Sequence, residues 1–283
     1  MSNTEDLMLE FIIDEFDFHV STLWNGGVLL FILLFIILYI FILPSGKNHT
    51  VWKTIIFFAG LAALFIALGS PINIVARIKY SSHLVQLIFL LLVAPPLLIY
   101  GFKKDIIARA REIEWIDQTI HILTKPVNAV ILFFLLFYIY HIPLVFDFVR
   151  IDLFLNYLCF FLLFGAAILL WIPILSEKSK LTGKQKMLYA LLNIILFIPY
   201  SIVLFTANAG LYTLYTDTEM FRSSVELCLP NQEDVPPEFY QALLPYDSVE
   251  QQIEGGKILL IWQILIIIGY TCWGLWIGKK SNR

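Results

Sequence analysis

The stretch that decides the fold is residues 152–173, DLFLNYLCFFLLFGAAILLWIP, in which Asp152 at the start is the one charged residue. The run matches the ~20 residues that an α-helix needs to cross the hydrocarbon layer of a membrane. Its apolar residues do not alternate with polar ones, and lipid offers no partner for unpaired backbone groups. Residues 152–173 therefore predict a transmembrane helix.

Six further apolar runs of similar length surround this one. The composition agrees, because 59% of the residues are hydrophobic, 14% are charged and 24 are Phe, far from an average soluble domain. We therefore predict an all-α polytopic membrane protein, a bundle of seven transmembrane helices within residues 26–278. The other six runs are residues 26–44, 51–69, 82–101, 127–145, 187–207 and 257–278.

The distribution of Lys and Arg among the loops predicts the orientation, because cytoplasmic loops carry an excess of both. Residues 1–25 contain neither. With the N-terminus outside, the inner loops and tail together hold 14 of these residues and the outer loops hold 5. We therefore expect the N-terminus outside and the C-terminus inside, with residues 279–283 as a cytoplasmic tail.

Two segments outside the spans show apolar residues at helical spacing beside charged ones, which is typical of helices that lie on a membrane surface. The first falls within residues 1–25 and predicts an outer interfacial segment. The second, residues 103–125, carries Lys and Arg beside its apolar stripe and predicts a helix on the anionic inner leaflet. The only long loop, residues 208–256, is expected outside.

Two histidines stand out because the topology places them at a similar depth near the outer face. His83 opens the third span, which descends from outside, and His141 lies near the end of the fourth, which rises to the outside. Neutral imidazole is a common ligand of zinc, copper and iron. The pair predicts a shared metal site or a haem edge, although histidines at helix ends also often serve only as hydrogen-bonding groups.

Several function classes are disfavoured by what the spans lack. No Lys, Arg, Asp or Glu lies near the middle of any span, which counts against a proton-coupled transporter. No residue set supplies both a nucleophile and a positioned base, so we expect no enzyme. No nucleic-acid partner is expected either.

Prolines at Pro95-Pro96 and Pro199 predict kinks in the third and sixth helices, which open gaps for a ligand, a quinone or a partner helix.

Several short motifs occur in a fixed order over residues 50–278, and together they resemble the bacterial CtaG-type cytochrome c oxidase assembly factors. A double-proline segment, Leu92-Val93-Ala94-Pro95-Pro96-Leu97-Leu98, lies between two histidine motifs. The other matching motifs are Gly69-Ser70-Pro71, Ser82-His83-Leu84-Val85-Gln86, Tyr140-His141-Ile142-Pro143 with Phe146-Asp147, Trp171-Ile172-Pro173, and Glu250-Gln251-Gln252-Ile253-Glu254-Gly255-Gly256.

The resemblance implies a multi-pass protein of the bacterial plasma membrane that helps to build a haem–copper oxidase, contacts oxidase subunits and delivers copper to them. Several positions depart from the family pattern, where Leu84, Leu87, Cys159-Phe160, Asn208 and Gln251 replace potential ligands. The family residues that remain, and that we take as candidates, are His83, Gln86, His141, Asp147, Glu250 and Gln252.

Cys159 is a further candidate, because thiolate suits Cu(I) and this residue stands where the family has another ligand. The predicted copper site therefore consists of His83, His141 and Cys159. Two alternatives stay open at this point. One is a metal-free membrane scaffold for oxidase assembly, which the missing ligands favour, and the other is a membrane protein that binds haem or another small molecule.

Overall fold

The computed structural model describes residues 23–44, 49–103, 111–176, 179, 181–227, 240 and 247–281. The predicted outer interfacial segment lies almost wholly outside these ranges. The basic start of the predicted inner helix (104–110), much of the loop 208–256 with Cys228, and the last two residues also lie outside them.

Throughout the described ranges the secondary structure is helical, without a strand, which confirms the predicted all-α class. In the part of the chain that the structure describes, five helices are long and apolar enough to cross a membrane, and there are six such spans if one bent helix pair counts as a single span. A span count of seven and the orientation of the termini stay predictions. The five are α2 (Val51–Gly69), α4 (Tyr80–Gly101), α8 (Leu153–Leu175), α9 (Gly183–Thr206) and α11 (Ser248–Ser281).

The two remaining apolar runs form shorter helices. The first is α1 (Gly26–Ile42), whose last five residues form a π-helical turn. The other is α6 (Pro126–Tyr140), which follows α5 (Glu114–Leu123) at an angle of 72°. Such a bend would let α5 run along a membrane surface while α6 enters the membrane, as the amphipathic pattern predicts.

Local sequence fixes where these helices begin. Asp152 accepts a hydrogen bond from the N–H of Leu155 and so starts α8, and Thr182 and Gln185 form a reciprocal capping box at the start of α9. Helix α6 begins at Pro126, since the first turn of a helix does not need the N–H that proline lacks.

Helix α4 is irregular where the double proline predicts a kink. Residues Ile88–Val93 form a π-helical segment directly before Pro95 and Pro96. Because Pro95 has no N–H, it cannot bond to the carbonyl of Leu91, four residues earlier. The indole N–H of Trp171 on α8 donates to that oxygen instead, at 3.0 Å. A carbonyl inside the bundle is thereby satisfied by a neighbouring helix.

The start of α11 packs closely between α4 and α9 at two adjacent glycines. A Cβ added to Gly255 would lie 2.9 Å from Leu84 on α4, and one added to Gly256 would lie 3.0 Å from Leu204 on α9. Side chains at these positions would push the helices apart. The Gly-Gly pair therefore holds the beginning of α4, with His83, against α11.

One end of the bundle is covered by short elements, which we call the cap. It consists of α3 (Ile72–Ile78), α7 (Pro143–Arg150), the 3-10 turn Thr213–Tyr215 and α10 (Thr218–Glu226). The loop charges predict that this end is the outer one. The cap closes over the start of α4 and the end of α6, where both candidate histidines lie.

Two buried arginines hold the cap together. Arg77 on α3 donates to the carbonyls of Arg150 and Ser224 at 2.8 and 3.0 Å. Arg150 on α7 donates in return to the carbonyl of Ala76 at 2.8 Å and to Oδ1 of Asn156 at 3.1 Å. Each arginine thus bonds to the segment that carries the other one.

Candidate functional site

The structure brings His83 and His141 together beneath the cap. His83 lies in the first turn of α4 and His141 directly follows α6, and the exposed fractions of the two residues are 0% and 5%. Their ring centres are 6.5 Å apart. Both imidazoles are therefore neighbours in a buried position.

Hydrogen bonds fix which nitrogen of each imidazole carries the proton. Nδ1 of His141 lies 2.6 Å from the carbonyl oxygen of Phe137, and since a carbonyl only accepts, Nδ1 must be the protonated nitrogen. Nε2 of a neutral His141 is then an acceptor. It is buried and has no hydrogen-bonding partner within the described residues, which is costly for a polar atom in an apolar interior.

His83 is oriented in the same way by Gln86, one turn further along α4. The amide nitrogen of Gln86 donates to the carbonyl of Ala67 at 2.8 Å and to Oδ1 of Asn73 at 3.0 Å, which fixes the orientation of the amide group. Its oxygen therefore faces Nδ1 of His83 at 3.3 Å and accepts from it. Nε2 of His83 remains an acceptor and lies 3.4 Å from the hydroxyl of Tyr140.

Aromatic rings enclose the pair and exclude water from it. The ring of Phe160 is stacked with that of His83, and the ring centres of Phe137 and Tyr200 each lie 4.3 Å from that of His141. Other rings that contact one or both imidazoles are those of Tyr80, Tyr140 and Phe146.

Three tyrosine hydroxyls form a further cluster at this level. The hydroxyl of Tyr200 bonds to those of Tyr80 and Tyr212, and Tyr212 also donates to the backbone carbonyl of His141 at 3.2 Å. Burial raises the pKa of Tyr212 to about 12, and also that of Tyr215 to about 12. Both phenols are therefore neutral at physiological pH and act as hydrogen-bonding groups.

The other sequence-predicted candidates lie around the pair in different roles. Cys159 is half-buried beside Phe160 and packs against the core. Asp147 accepts from the backbone N–H groups of Thr213 and Leu214 at 2.9 and 3.1 Å, which anchors the 3-10 turn of the cap.

Of the two candidates near the start of α11, one contacts the loop that precedes the cap turn. Gln252 is buried, accepts from the N–H of Leu211 at 2.5 Å and donates to the carbonyl of Ala209 at 3.2 Å. Glu250 is exposed in the first turn of α11. Gln252 therefore fixes the loop over the site, while Glu250 faces solvent.

The described residues contain no group of three or more His, Cys, Asp or Glu side chains placed to hold one metal ion. The pair of imidazoles thus stands without a third protein ligand of these types in the described chain. Two neutral nitrogen ligands suit a soft monovalent ion such as Cu(I) better than a hard cation that prefers several oxygen ligands.

Sequence reasoning missed Asn73, Arg77, Arg150 and the tyrosine cluster. The two arginines read as ordinary loop charges, although both are almost fully buried and the guanidinium of Arg150 lies 5.9 Å from the ring centre of Phe146, which packs against His83. Asn73 and the tyrosines gave no local signal, because their partners lie far away along the chain.

Fold and site together define a helical membrane protein whose covered end buries two neighbouring imidazoles among aromatic rings. A family model described as cytochrome c oxidase caa3 assembly factor matches residues 28–277, most of the chain. The chain therefore belongs to this family, as the ordered motifs predict. No curated protein and no solved structure matches it.

Proposed function

We propose that this member of the family handles Cu(I) for a haem–copper oxidase at the outer face of the bacterial plasma membrane. His83 and His141 would hold the ion, and oxidase subunits would approach through the exposed apolar side chains of the spans. The observation that carries the proposal is the buried Nε2 of His141, which has no partner among the described residues although its ring is fixed by Phe137.

The hydrogen bonds that Nδ1 of each ring donates support this role. Protein histidines that bind metals usually donate their other N–H to a carbonyl or carboxylate, which fixes the ring and leaves one lone pair for the metal. His141 donates to a backbone carbonyl and His83 to the amide oxygen of Gln86. Each ring is therefore fixed through its Nδ1. Nε2 of His141 is left without a donor in the described chain, and Nε2 of His83 would exchange its contact with the Tyr140 hydroxyl for the ion.

Electrostatics favour a monovalent ion. In the described part of the chain no carboxylate forms an ion pair with Arg150, whose guanidinium lies 5.9 Å from the ring centre of Phe146, a ring that packs against His83. Repulsion by a fixed positive charge is twice as large for a divalent ion as for a monovalent one. Two neutral nitrogen ligands would hold Cu(I) less tightly than a site with thiolate ligands, which suits transfer to another protein.

A metal-free scaffold remains the second candidate, because no third ligand joins the two imidazoles in the described chain. In that case the buried pair would serve only to pack the cap against the bundle. A haem-binding role stays a prediction without a supporting contact.

The test is copper analysis of the purified full-length protein, loaded with Cu(I) without oxygen. Wild type should retain near-stoichiometric copper, whereas His83→Ala and His141→Ala should lose most of it because each removes half of the nitrogen ligands. His121→Ala is the matched control, since His121 is exposed on α5 and should leave copper binding unchanged.

Oxidase activity in a deletion strain separates the two candidates. The copper role requires that variants lacking either buried histidine fail to restore the activity while the His121 variant restores it. A wild-type protein that binds no copper, together with His83→Gln and His141→Gln variants that fold and restore activity, would support the scaffold instead.

A further inference from the structure

A buried lysine lies near the start of α9, at the end of the bundle opposite the cap. Lys186 is the fourth residue of this helix and is only 8% exposed. Its ammonium forms no hydrogen bond and no ion pair with any described residue. The buried cations Arg77, Arg150 and Lys103, by contrast, all donate to backbone carbonyls. Because a buried charge without a partner is costly, Lys186 indicates a site for an anion.

The backbone at the start of α9 supplies two further hydrogen-bond donors. The first four N–H groups of a helix have no acceptor within the helix. The capping box of Thr182 and Gln185 satisfies the N–H groups of these two residues. Those of Gly183 and Lys184 remain as donors at the end of the helix. Since helical side chains lean toward the N-terminus of their helix, the ammonium of Lys186 leans toward the same end.

All the charges at this helix end have the same sign. The N-terminus of a helix carries a partial positive charge, which Asp or Glu in the first turn would offset. The first turn of α9 contains no acidic residue, and it carries the exposed Lys184 in addition to the buried Lys186. A phosphate group would complement both features, because its oxygens accept from backbone N–H groups and pair with ammonium groups.

The side chains that follow Lys186 suit a lipid phosphate better than a free one. Met187, Leu188 and Leu191 are apolar, and each is more than half exposed. In a membrane such side chains face the acyl chains of lipids. The loop charges predict that this end of the bundle is the inner one, and the inner leaflet carries anionic lipids. A phosphate near Lys186 would therefore lie at the depth of the headgroups, with apolar protein surface directly beside the acyl chains.

We infer that the start of α9 binds the phosphate of an anionic phospholipid of the inner leaflet. Lys186 would supply the buried countercharge, and the N–H groups of Gly183 and Lys184 would donate to the phosphate oxygens. Basic sites between transmembrane helices bind the headgroups of anionic lipids on the cytoplasmic side of membranes. This site is independent of the copper role, because it lies at the end of the bundle away from the histidine pair.

The experiment is thermal unfolding of the full-length protein, washed free of lipid in dodecyl maltoside and then titrated with phosphatidylglycerol. The midpoint should rise and reach a plateau, because a ligand that binds only the folded state stabilises that state. Phosphatidylcholine with the same acyl chains is the first comparison, since its choline cation offsets the phosphate charge. Inorganic phosphate is the second, since it has no acyl chains. Both should raise the midpoint much less.

Lys186→Met removes the charge and keeps a long unbranched side chain. Without lipid this variant should be at least as stable as wild type, because an apolar side chain replaces a buried charge that has no partner. Its apparent affinity for phosphatidylglycerol should be about tenfold lower, since a charge-assisted hydrogen bond is lost. Lys186→Arg should keep the response. Lys125→Met is the matched control, because Lys125 is exposed on the same predicted side, and it should respond as wild type does.

Two results would overturn the lipid site directly. The first is a response of Lys186→Met to phosphatidylglycerol that equals that of wild type, and Lys186→Gln decides this point if the Met variant cannot be purified. The second is a rise of the midpoint with inorganic phosphate and none with phosphatidylglycerol, which would make a free anion the ligand instead of a lipid.

A further variant tests whether the protein itself supplies the countercharge. Glu177 is the acidic residue nearest to Lys186 in the sequence and lies outside the described residues. Glu177→Gln should leave both the stability without lipid and the response to phosphatidylglycerol unchanged. A lower midpoint of this variant without lipid, restored by adding Lys186→Met, would make Glu177 the partner of Lys186 and overturn the site. Copper retention by the same proteins is a separate readout, so neither result affects the proposed function.

Discussion

Trp171 completes a hydrogen bond that α4 cannot make for itself. Its indole N–H donates to the carbonyl of Leu91, which has no helical donor because residue 95 is a proline. We expect Trp171→Phe to preserve most of the packing but to leave this carbonyl without a hydrogen-bond donor. The free energy of unfolding should fall by about 1–3 kcal/mol as a result.

The measurement is equilibrium unfolding of the purified protein in mixed micelles. Trp262→Phe is the control, because Trp262 is 52% exposed on α11 and the same change there should have little effect. Equal stabilities of the two variants would show that the indole bond contributes nothing.

The buried arginines show what residue-level reasoning from sequence lacks. Arg77 and Arg150 bond to backbone carbonyls and to the neutral side chains of Ser224 and Asn156. No charge pattern along the chain marks such partners, because every residue has a carbonyl. By contrast, the similar depth of His83 and His141 follows from the alternating direction of the spans, whereas the 6.5 Å between their ring centres depends on how the helices pack.

At the scale of single elements, α1 and α4 stabilise each other at the end away from the cap. Nζ of Lys103, just after α4, donates to the carbonyls of Tyr39 and Leu43 at 2.6 and 2.9 Å and lies 4.7 Å from the ring centre of Tyr39. The hydroxyl of Tyr39 donates in return to the carbonyl of Gly101. A cation thus satisfies the unpaired carbonyls at the end of α1.

Lys103→Met should therefore destabilise the protein by about 1.5–3 kcal/mol, since hydrogen bonds to charged groups are stronger than neutral ones. Thermal unfolding in detergent would detect the change as a lower midpoint. Lys125→Met provides the control, because Lys125 is exposed before α6. A midpoint equal to that of the control would contradict the role of Lys103 in holding α1.

Sequence periodicity located the helices well and their irregularities less well. All seven apolar runs are mainly helical, and the double proline directly follows the π-helical segment of α4. The π-helical end of α1 and the short helices α3 and α7 could not be predicted, because they depend on tertiary contacts made by Lys103 and the buried arginines.

At the scale of the whole molecule, the loop charges predict that the cap faces outward. Three of the five Lys and Arg counted on that side, Arg77, Lys79 and Arg150, are buried in the protein. On the opposite side Lys103 and Lys186 are buried as well, and the orientation stays a prediction from the loop charges.

Cysteine labelling tests this orientation directly. In a variant without the native cysteines, Asp152→Cys at the start of α8 should react with a membrane-impermeant maleimide in intact cells. Lys184→Cys at the start of α9 should react only after lysis, because the two positions lie at opposite ends of the bundle. The reverse pattern would invert the topology and place the histidine pair on the cytoplasmic side.

The hydrogen bonds that each buried arginine donates to the segment carrying the other also affect when the cap can form during synthesis of the chain. A guanidinium remains hydrated until it reaches its hydrogen-bond acceptors. Arg77 and Arg150, whose segments provide acceptors for each other, are 73 residues apart. Arg77 has a third partner on α10, which comes still later in the chain. Arg77 therefore lacks one of its acceptors while the ribosome is still producing that third segment, whereas the acceptors of Arg150 are made earlier. Closure of the end that shelters the histidines is therefore among the last events in maturation, after the insertion machinery has released the earlier spans.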